Sequence, residues 1–100
     1  MLKVSGQWVS PAEVEGLLFQ HPTVLEAAVV GREDENRLLK PKAFVVLKEG
    51  YEPSPSLAVE LQAFVKVRTL PHKYPRWVEF IADLPKTATG KIQRYKLRAL

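Results

Sequence analysis

Two apolar, β-prone runs separated by a short charged segment constrain the fold of this 100-residue chain more than any other feature. The first run, residues 24–31, has Ala-Ala-Val-Val at its centre, and the second, residues 42–47, reads Lys-Ala-Phe-Val-Val-Leu and follows Pro41. Such runs, bounded by turn-forming residues, indicate strands. The polar segment at residues 33–36, Glu-Asp-Glu-Asn, lies between them. We therefore predict an antiparallel hairpin with a charged loop.

Three helices are predicted around these strands. Residues 10–13 (Ser-Pro-Ala-Glu) are typical of a capping box, in which the serine caps the helix, the proline is its first residue and the glutamate reaches back to the cap. The box predicts a helix over residues 11–20. Ser56 is expected to cap a second helix over residues 57–69, and a third helix is predicted over residues 93–100.

Two further strand-like segments complete the predicted fold. Residues 2–4 and 7–9 flank Ser5-Gly6 and predict a short N-terminal hairpin in which the glycine supplies the turn. Residues 76–81 predict another strand. The expected fold class is α+β: a small, mainly antiparallel sheet of about three strands plus the N-terminal hairpin, covered by helices.

Composition excludes several classes of protein. A hydrophobic share of 46% and a charged share of 26% are typical of a globular domain, and no apolar run is long enough to span a membrane. The absence of cysteine excludes thiolate metal sites, and His21 and His72 are far apart, so no metal site is predicted. A cysteine-free chain without an apolar leader fits a cytoplasmic protein.

The net charge of +4 comes with many cations after residue 65. Specific nucleic-acid modules carry further marks, such as aromatic-basic motifs or zinc-ligand spacings, and these are missing. A solvated basic face is one explanation of the excess charge, and a face that binds the phosphates of a small ligand is the other. We therefore predict no nucleic-acid partner.

The segment from Pro85 to Arg94 is the strongest candidate for a site. It places Lys91 directly after Gly90, together with two threonines and two further cations. This suits an exposed loop that holds one ammonium group against phosphate or carboxylate, because glycine permits backbone conformations that a Cβ opposes and lysine is a mobile point charge. The spacing of a P-loop is absent. By itself, a Gly-Lys pair is more often an ordinary surface loop.

Two motifs resemble one enzyme family. The pattern Pro85-Lys86-Thr87-x-x-Gly90-Lys91-Ile92-x-Arg94 resembles the last core motif of the adenylate-forming enzymes, which include acyl-CoA synthetases, peptide-synthetase adenylation domains and luciferases. Residues 2–15 resemble the motif that opens the small C-terminal domain of the same enzymes. Residues 7–18 are similar to benzoate-CoA ligases and related aryl-CoA ligases. The resemblance implies that residues 1–100 form a single C-terminal domain, excised from a larger ligase whose large N-terminal domain is absent.

The resemblance also implies roles for single residues. Lys91 would be catalytic in forming an acyl-adenylate from a carboxylic acid and ATP. Lys86, Gly90 and Arg94 would lie at the ATP phosphates, although Lys86 and Arg94 could equally be surface charges, and Arg94 could hold the loop by bonding a carbonyl.

The N-terminal hairpin would serve coenzyme A. The resemblance implies that Lys3, Val4, Ser5 and Gly6 line the tunnel for its pantetheine arm, although Gly6 could be an ordinary turn glycine. The parent enzyme would use ATP, with Mg²⁺ held by the N-terminal domain, which would also hold the acid, so the acid cannot be identified from these residues. The isolated chain is expected to be inactive.

Other functions stay open at this point. The acceptor could be a pantetheinylated carrier protein rather than coenzyme A, or the chain could be a non-catalytic module that binds an anion or a protein partner. An exposed, active Lys91 is also a candidate for reversible acetylation by a protein acetyltransferase and deacetylase, since acetylation removes the charge.

Overall fold

The structure is a computed structural model that describes residues 2–4, 7–69 and 73–99, with the backbone alone described before Val9. Its elements are strand β1 (Leu2–Val4), strand β2 (Gln7–Val9), helix α1 (Pro11–Phe19), strand β3 (Val24–Glu33), strand β4 (Leu39–Leu47), helix α2 (Pro55–Lys66), strand β5 (Trp77–Phe80) and helix α3 (Arg94–Arg98). The predicted α+β class is confirmed. None of the helices in the described part of the chain is long and apolar enough to cross a membrane.

The main sheet has the strand order β3-β4-β5. β3 and β4 pair in antiparallel register from Val24↔Leu47 to Glu33↔Leu39, as the two apolar runs predict. β5 pairs with β4 in parallel, from Lys42↔Trp77 to Val45↔Phe80, which the sequence did not indicate. A parallel neighbour requires a crossover, and α2 supplies it by leading from the end of β4 back to its beginning.

The turn between β3 and β4 is organised by Asp34. One oxygen of its carboxylate accepts hydrogen bonds from the N–H groups of Asn36 at 2.9 Å and Leu38 at 3.0 Å. The bond from Leu38 is the main reason that the pKa of Asp34 lies below its usual value. The turn therefore begins after Glu33, and both strands are longer than predicted.

The same dipeptide begins both longer helices. Ser10 Oγ accepts from the Glu13 N–H at 3.4 Å, with Pro11 as the first helical residue of α1. Ser54 Oγ accepts from the Leu57 N–H at 3.0 Å, with Pro55 as the first helical residue of α2. The prediction that Ser56 caps this helix is therefore wrong, because a serine followed by proline combines the cap with a preset first turn.

Other predicted details of the helices also change. Both oxygens of the Glu13 carboxylate accept from Lys73 Nζ, at 3.3 and 3.0 Å, so the carboxylate half of the predicted capping box is used elsewhere. α2 ends at Lys66 rather than near residue 69. In α3, Leu97 is buried, whereas Tyr95 is 61% exposed.

The sheet separates two apolar clusters. Successive residues of a strand point to opposite faces, so Ala27 and Val29 join the first cluster and Ala28 and Val30 the second. The first cluster is covered by buried residues of α1 and α2, namely Val14, Leu18, Leu61 and Val65. The second is covered by Leu84 and Leu97. Burial on both faces explains why the two central strands are apolar runs rather than alternating patterns.

Candidate functional site

Residues 86–92 form a tight turn that we call the Lys91 hairpin. Lys86 and Ile92 face each other across an antiparallel bridge. Inside it, the Thr87 N–H donates to the Lys91 carbonyl at 2.8 Å, and the Gly90 N–H donates to the Thr87 carbonyl at 2.9 Å. This is a three-residue hairpin loop, which usually ends on a residue with left-handed backbone.

Gly90 supplies that residue. Its φ is +89°, a conformation that L side chains rarely adopt, as the sequence predicts. The N–H of Lys91 donates to Thr87 Oγ1 at 3.1 Å, and this hydroxyl lies 3.0 Å from Thr89 Oγ1. Because its carbonyl is also bonded to Thr87, the backbone of Lys91 is held on both sides although the loop is on the surface.

The side chain of Lys91 is available for a ligand. The residue is exposed. Within residues 2–4, 7–69 and 73–99, no hydrogen bond or ion pair involves its Nζ. A hydrogen-bonded backbone carrying an exposed ammonium that has no partner in the described part of the chain suits transient contact with an anion.

Lys86 is paired with a carboxylate of the chain itself. Its Nζ donates a hydrogen bond to Glu26 Oε1 on β3. This bond is the main reason that the pKa of Lys86 is raised above its usual value. Contact between Lys86 and phosphate would therefore require competition with Glu26, so its predicted phosphate role stays a prediction.

Arg94 is also paired within the chain. Its Nε donates to Glu15 Oε2 at 3.1 Å and its terminal nitrogen donates to Glu15 Oε1 at 2.5 Å. This two-pronged geometry is the strongest form of ion pair between side chains. Arg94 does hold the end of the hairpin, but through a carboxylate rather than through the predicted carbonyl.

The second predicted site lies at the N-terminal hairpin. β1 and β2 pair as predicted, with Lys3 opposite Trp8 and Val4 opposite Gln7. Ser5 and Gly6 lie outside the described residues, as do the side chains of Lys3, Val4 and Trp8. The role of this hairpin therefore stays a prediction.

His21 serves the fold. Its Nδ1 lies 2.8 Å from Thr23 Oγ1, and its Nε2 lies 2.6 Å from Glu60 Oε2, so it links the end of α1 to α2. His72 lies outside the described residues. The residues that the structure describes contain no group of three or more histidine, aspartate or glutamate side chains that could hold a metal ion.

Sequence reasoning missed Glu15 and Glu26, which brace the hairpin. A signal existed for Glu26, because it is the single charge within the apolar run of residues 24–31 and such a charge needs a partner. No local signal marks Glu15, since its partner Arg94 is 79 residues away. Only the folded chain brings Glu15 and Arg94 together.

Comparisons with known proteins find relatives that match almost the whole chain. Residues 13–91 match the family described as the AMP-binding enzyme C-terminal domain. The benzoate–CoA ligase of Thauera aromatica is 65% identical over 99 residues, which cover 99% of this chain and 19% of that enzyme. The 4-hydroxybenzoate–CoA/benzoate–CoA ligase of Rhodopseudomonas palustris is 52% identical over 101 residues, with 100% and 19% covered.

A solved structure extends the similarity to three dimensions. The crystal structure of the anthranilate CoA ligase AuaEII in complex with anthranoyl-AMP has a TM-score of 0.94 to this chain at 55% identity. The match covers 99% of this chain and 19% of that one. The chain thus spans about a fifth of the length of the relatives that it matches.

Proposed function

Because this chain belongs to the family of AMP-binding enzyme C-terminal domains, we propose that it is the C-terminal domain of a larger ATP-dependent, AMP-forming carboxylic acid–CoA ligase. The observation that carries the proposal is the Lys91 hairpin: the flanking cations Lys86 and Arg94 are paired with carboxylates, whereas the exposed Lys91 has no partner among the described residues. An aryl acid such as benzoate is the proposed substrate, supported by 65% identity to the Thauera aromatica benzoate–CoA ligase.

Lys91 acts in the first half-reaction of this proposal. A carboxylate oxygen of the acid bonds to the α-phosphorus of ATP while the bond to pyrophosphate breaks, which leaves an acyl-adenylate. Negative charge develops between the attacking and leaving oxygens, and a compact ammonium group can contact both. Hydrogen bonds to Thr87 fix the backbone from which this side chain extends, and Gly90 provides the positive φ of the turn.

The N-terminal hairpin acts in the second half-reaction. The domain rotates, Lys91 leaves the active site, and the segment containing Lys3, Val4, Ser5 and Gly6 replaces it. The thiol of coenzyme A then bonds to the acyl carbon and AMP leaves. The separation of the two motifs on different hairpins supports this division of labour.

The rest of the chemistry is assigned to the N-terminal domain of the parent enzyme. That domain would hold the acid, the adenine of ATP and Mg²⁺, and it would be the principal partner of this chain. The relatives reported above are named CoA ligases, which favours coenzyme A over a carrier protein as the acceptor. We place the parent enzyme in the cytoplasm on the basis of its cysteine-free C-terminal sequence.

Reversible acetylation of Lys91 is a further part of the proposal. The supporting observation is that Lys91 is exposed and lacks a partner among the described residues, so an acetyltransferase could reach it. Acetylation would remove the charge and stop the first half-reaction. An acetyltransferase assay with mass-spectrometric mapping tests this, and equal modification of wild type and Lys91→Ala would contradict it.

The central experiment separates the two half-reactions in the full-length enzyme. Lys91→Ala is expected to lower adenylate formation from acid and ATP by about 10²–10³-fold, the usual effect of losing one preorganised charge donor. Thioester formation from preformed acyl-adenylate and coenzyme A should survive. Lys96→Ala removes another exposed lysine, on α3, and serves as the matched control that retains both activities.

Two results would contradict the proposal. If Lys91→Ala retained adenylate formation, Lys91 would be an ordinary surface residue. If it lost both half-reactions equally while Lys96→Ala lost neither, Lys91 would not be specific to the first step and the rotation model would fail.

A further inference from the structure

Glu15 holds a largely enclosed ion pair with Arg94. Its side chain is 14% exposed, whereas the Glu13 carboxylate, two residues earlier on the same helix, is 45% exposed. Three hydrogen bonds reach Glu15: two from Arg94, described above, and one from the Val29 N–H to Oε2 at 2.7 Å. A carboxylate with this many partners has one well-defined position.

The bond from Val29 ties Glu15 to the sheet. β3 is an edge strand of the three-stranded sheet, so an N–H that does not face β4 needs another acceptor. Glu15 provides it from the middle of α1. The carboxylate therefore joins α1, the edge of β3 and the first residue of α3 at one point.

The backbone between Arg94 and Lys91 is short and well connected, so the position of Arg94 affects that of Lys91. Only two residues separate them, and both are held: Ile92 bridges Lys86 and packs against the second apolar cluster, and the Gln93 N–H donates to the Pro85 carbonyl at 2.8 Å. No slack segment lies between the ion pair and the hairpin. A displacement of Arg94 must therefore move Ile92 and Lys91 or break these contacts.

α3 has little other means of fixing its first residue. It has five residues, and its N-cap Gln93 makes no side-chain capping bond. Helices this short are unstable by themselves, so tertiary contacts must hold them. Leu97 anchors the far end by burial, and the Glu15–Arg94 pair anchors the beginning.

We propose that Glu15 is a positioning residue for adenylate formation, acting through Arg94 to hold the Lys91 ammonium where charge develops. The proposal rests on the function proposed above for Lys91. A misplacement of about 1 Å at a reacting group can lower a rate by about 10²-fold. Glu15→Gln keeps the size of the side chain and an acceptor for Val29 but removes the charge that orients Arg94.

The test uses the full-length ligase and both half-reactions. Glu15→Gln is expected to lower kcat for adenylate formation by about 10-fold to 100-fold while leaving the KM for ATP and acid within about two-fold of wild type. Thioester formation from preformed adenylate should be unchanged. Glu13→Gln is the matched control on the same helix, because its carboxylate pairs with Lys73 and not with the hairpin; it should leave both half-reactions unchanged.

Two more variants separate positioning from stability and from direct contact with phosphate. Adding Glu15→Gln to Lys91→Ala should cause no further loss of adenylate formation if Glu15 acts through Lys91. Arg94→Lys keeps the positive charge but cannot make the two-pronged pair, so it should behave like Glu15→Gln. Amide hydrogen exchange across residues 86–92 should quicken in Glu15→Gln and not in Glu13→Gln.

The outcomes distinguish this inference from the proposed function. If Lys91→Ala has no effect on adenylate formation, the proposed function fails first. If Lys91→Ala is inactive but Glu15→Gln matches Glu13→Gln, only the positioning role is overturned. Equal losses in both half-reactions, or full activity in Arg94→Lys, would also overturn it.

Discussion

The three cations of the C-terminal motif are chemically similar but have different surroundings. Lys86 and Arg94 face Glu26 and Glu15, and their positive charge is matched within the fold. Lys91 lies between them on a backbone whose N–H and carbonyl are both bonded to Thr87. Among the described residues, the partners therefore distinguish Lys86 and Arg94 from Lys91, and residue type alone does not.

Gly90 is the residue on which the hairpin geometry depends, and its substitution gives a test. Gly90→Ala must place a Cβ on a residue with φ of +89°, which costs about 1–2 kcal/mol. We expect the free energy of unfolding of the chain, measured by urea denaturation, to fall by that amount. Adenylate formation in the parent enzyme should fall as well, because relaxation of the turn moves Lys91.

Gly16 is the matched control for this substitution. It lies within α1, and an added Cβ would meet nothing within 4 Å. Gly16→Ala should therefore raise the free energy of unfolding by about 0.5–1 kcal/mol, since glycine is unfavourable inside helices. A loss of stability in both variants, or in neither, would contradict the role assigned to Gly90.

The three helices differ in how far local sequence signals specify where they begin. α1 and α2 each begin with a Ser-Pro pair whose serine accepts a hydrogen bond from the N–H three residues later. α3 has no such cap and has one buried residue, Leu97. The two longer helices are therefore specified near their own ends, whereas α3 depends on the second apolar cluster and on Glu15.

This difference predicts unlike effects for two similar substitutions. Leu61 on α2 and Leu97 on α3 are both fully buried, so Leu61→Ala and Leu97→Ala should each lower the free energy of unfolding by about 2–5 kcal/mol. Leu97→Ala should also quicken native-state amide exchange across the Lys91 hairpin, because Ile92 packs against the cluster that contains Leu97. Leu61→Ala should leave that exchange unchanged.

Hydrogen-exchange mass spectrometry under native conditions makes this measurement, with urea denaturation to compare global stability. Equal protection of residues 86–92 in the two variants would show that the hairpin is held without the second cluster. A greater loss of protection in Leu61→Ala would show that the hairpin depends on the first apolar cluster rather than on the second.

At the scale of the whole molecule, the two faces of the three-stranded sheet pack against different parts of the chain. One face packs the two longer helices into the larger cluster, and His21 adds a polar link between them through Glu60. The other face supports Leu84, Leu97 and, at its margin, Ile92. The Glu26–Lys86 pair connects the Lys91 hairpin with β3, and the Glu15–Arg94 pair connects the start of α3, two residues after the hairpin, with α1. The candidate catalytic segment is therefore attached to the main body of the fold.

The sequence by itself determined the features that depend on neighbouring residues. The apolar runs predicted β3 and β4, the Ser10-Pro11 pair predicted the start of α1, and the glycine before Lys91 indicated a backbone conformation that a Cβ opposes. These signals are local because dihedral preferences, caps and side-chain alternation act over a few residues. The two family motifs likewise needed no tertiary information, and the family they indicated is confirmed.

Only the tertiary structure decided the contacts between distant segments. The parallel pairing of β5 with β4 depends on the path of α2, and the partners of Lys86 and Arg94 lie 60 and 79 residues away along the chain. A charged side chain on the surface has many possible partners of similar energy, and the packing of the apolar clusters selects among them. The bracing of Lys91 is therefore a property of the folded chain and not of its motif.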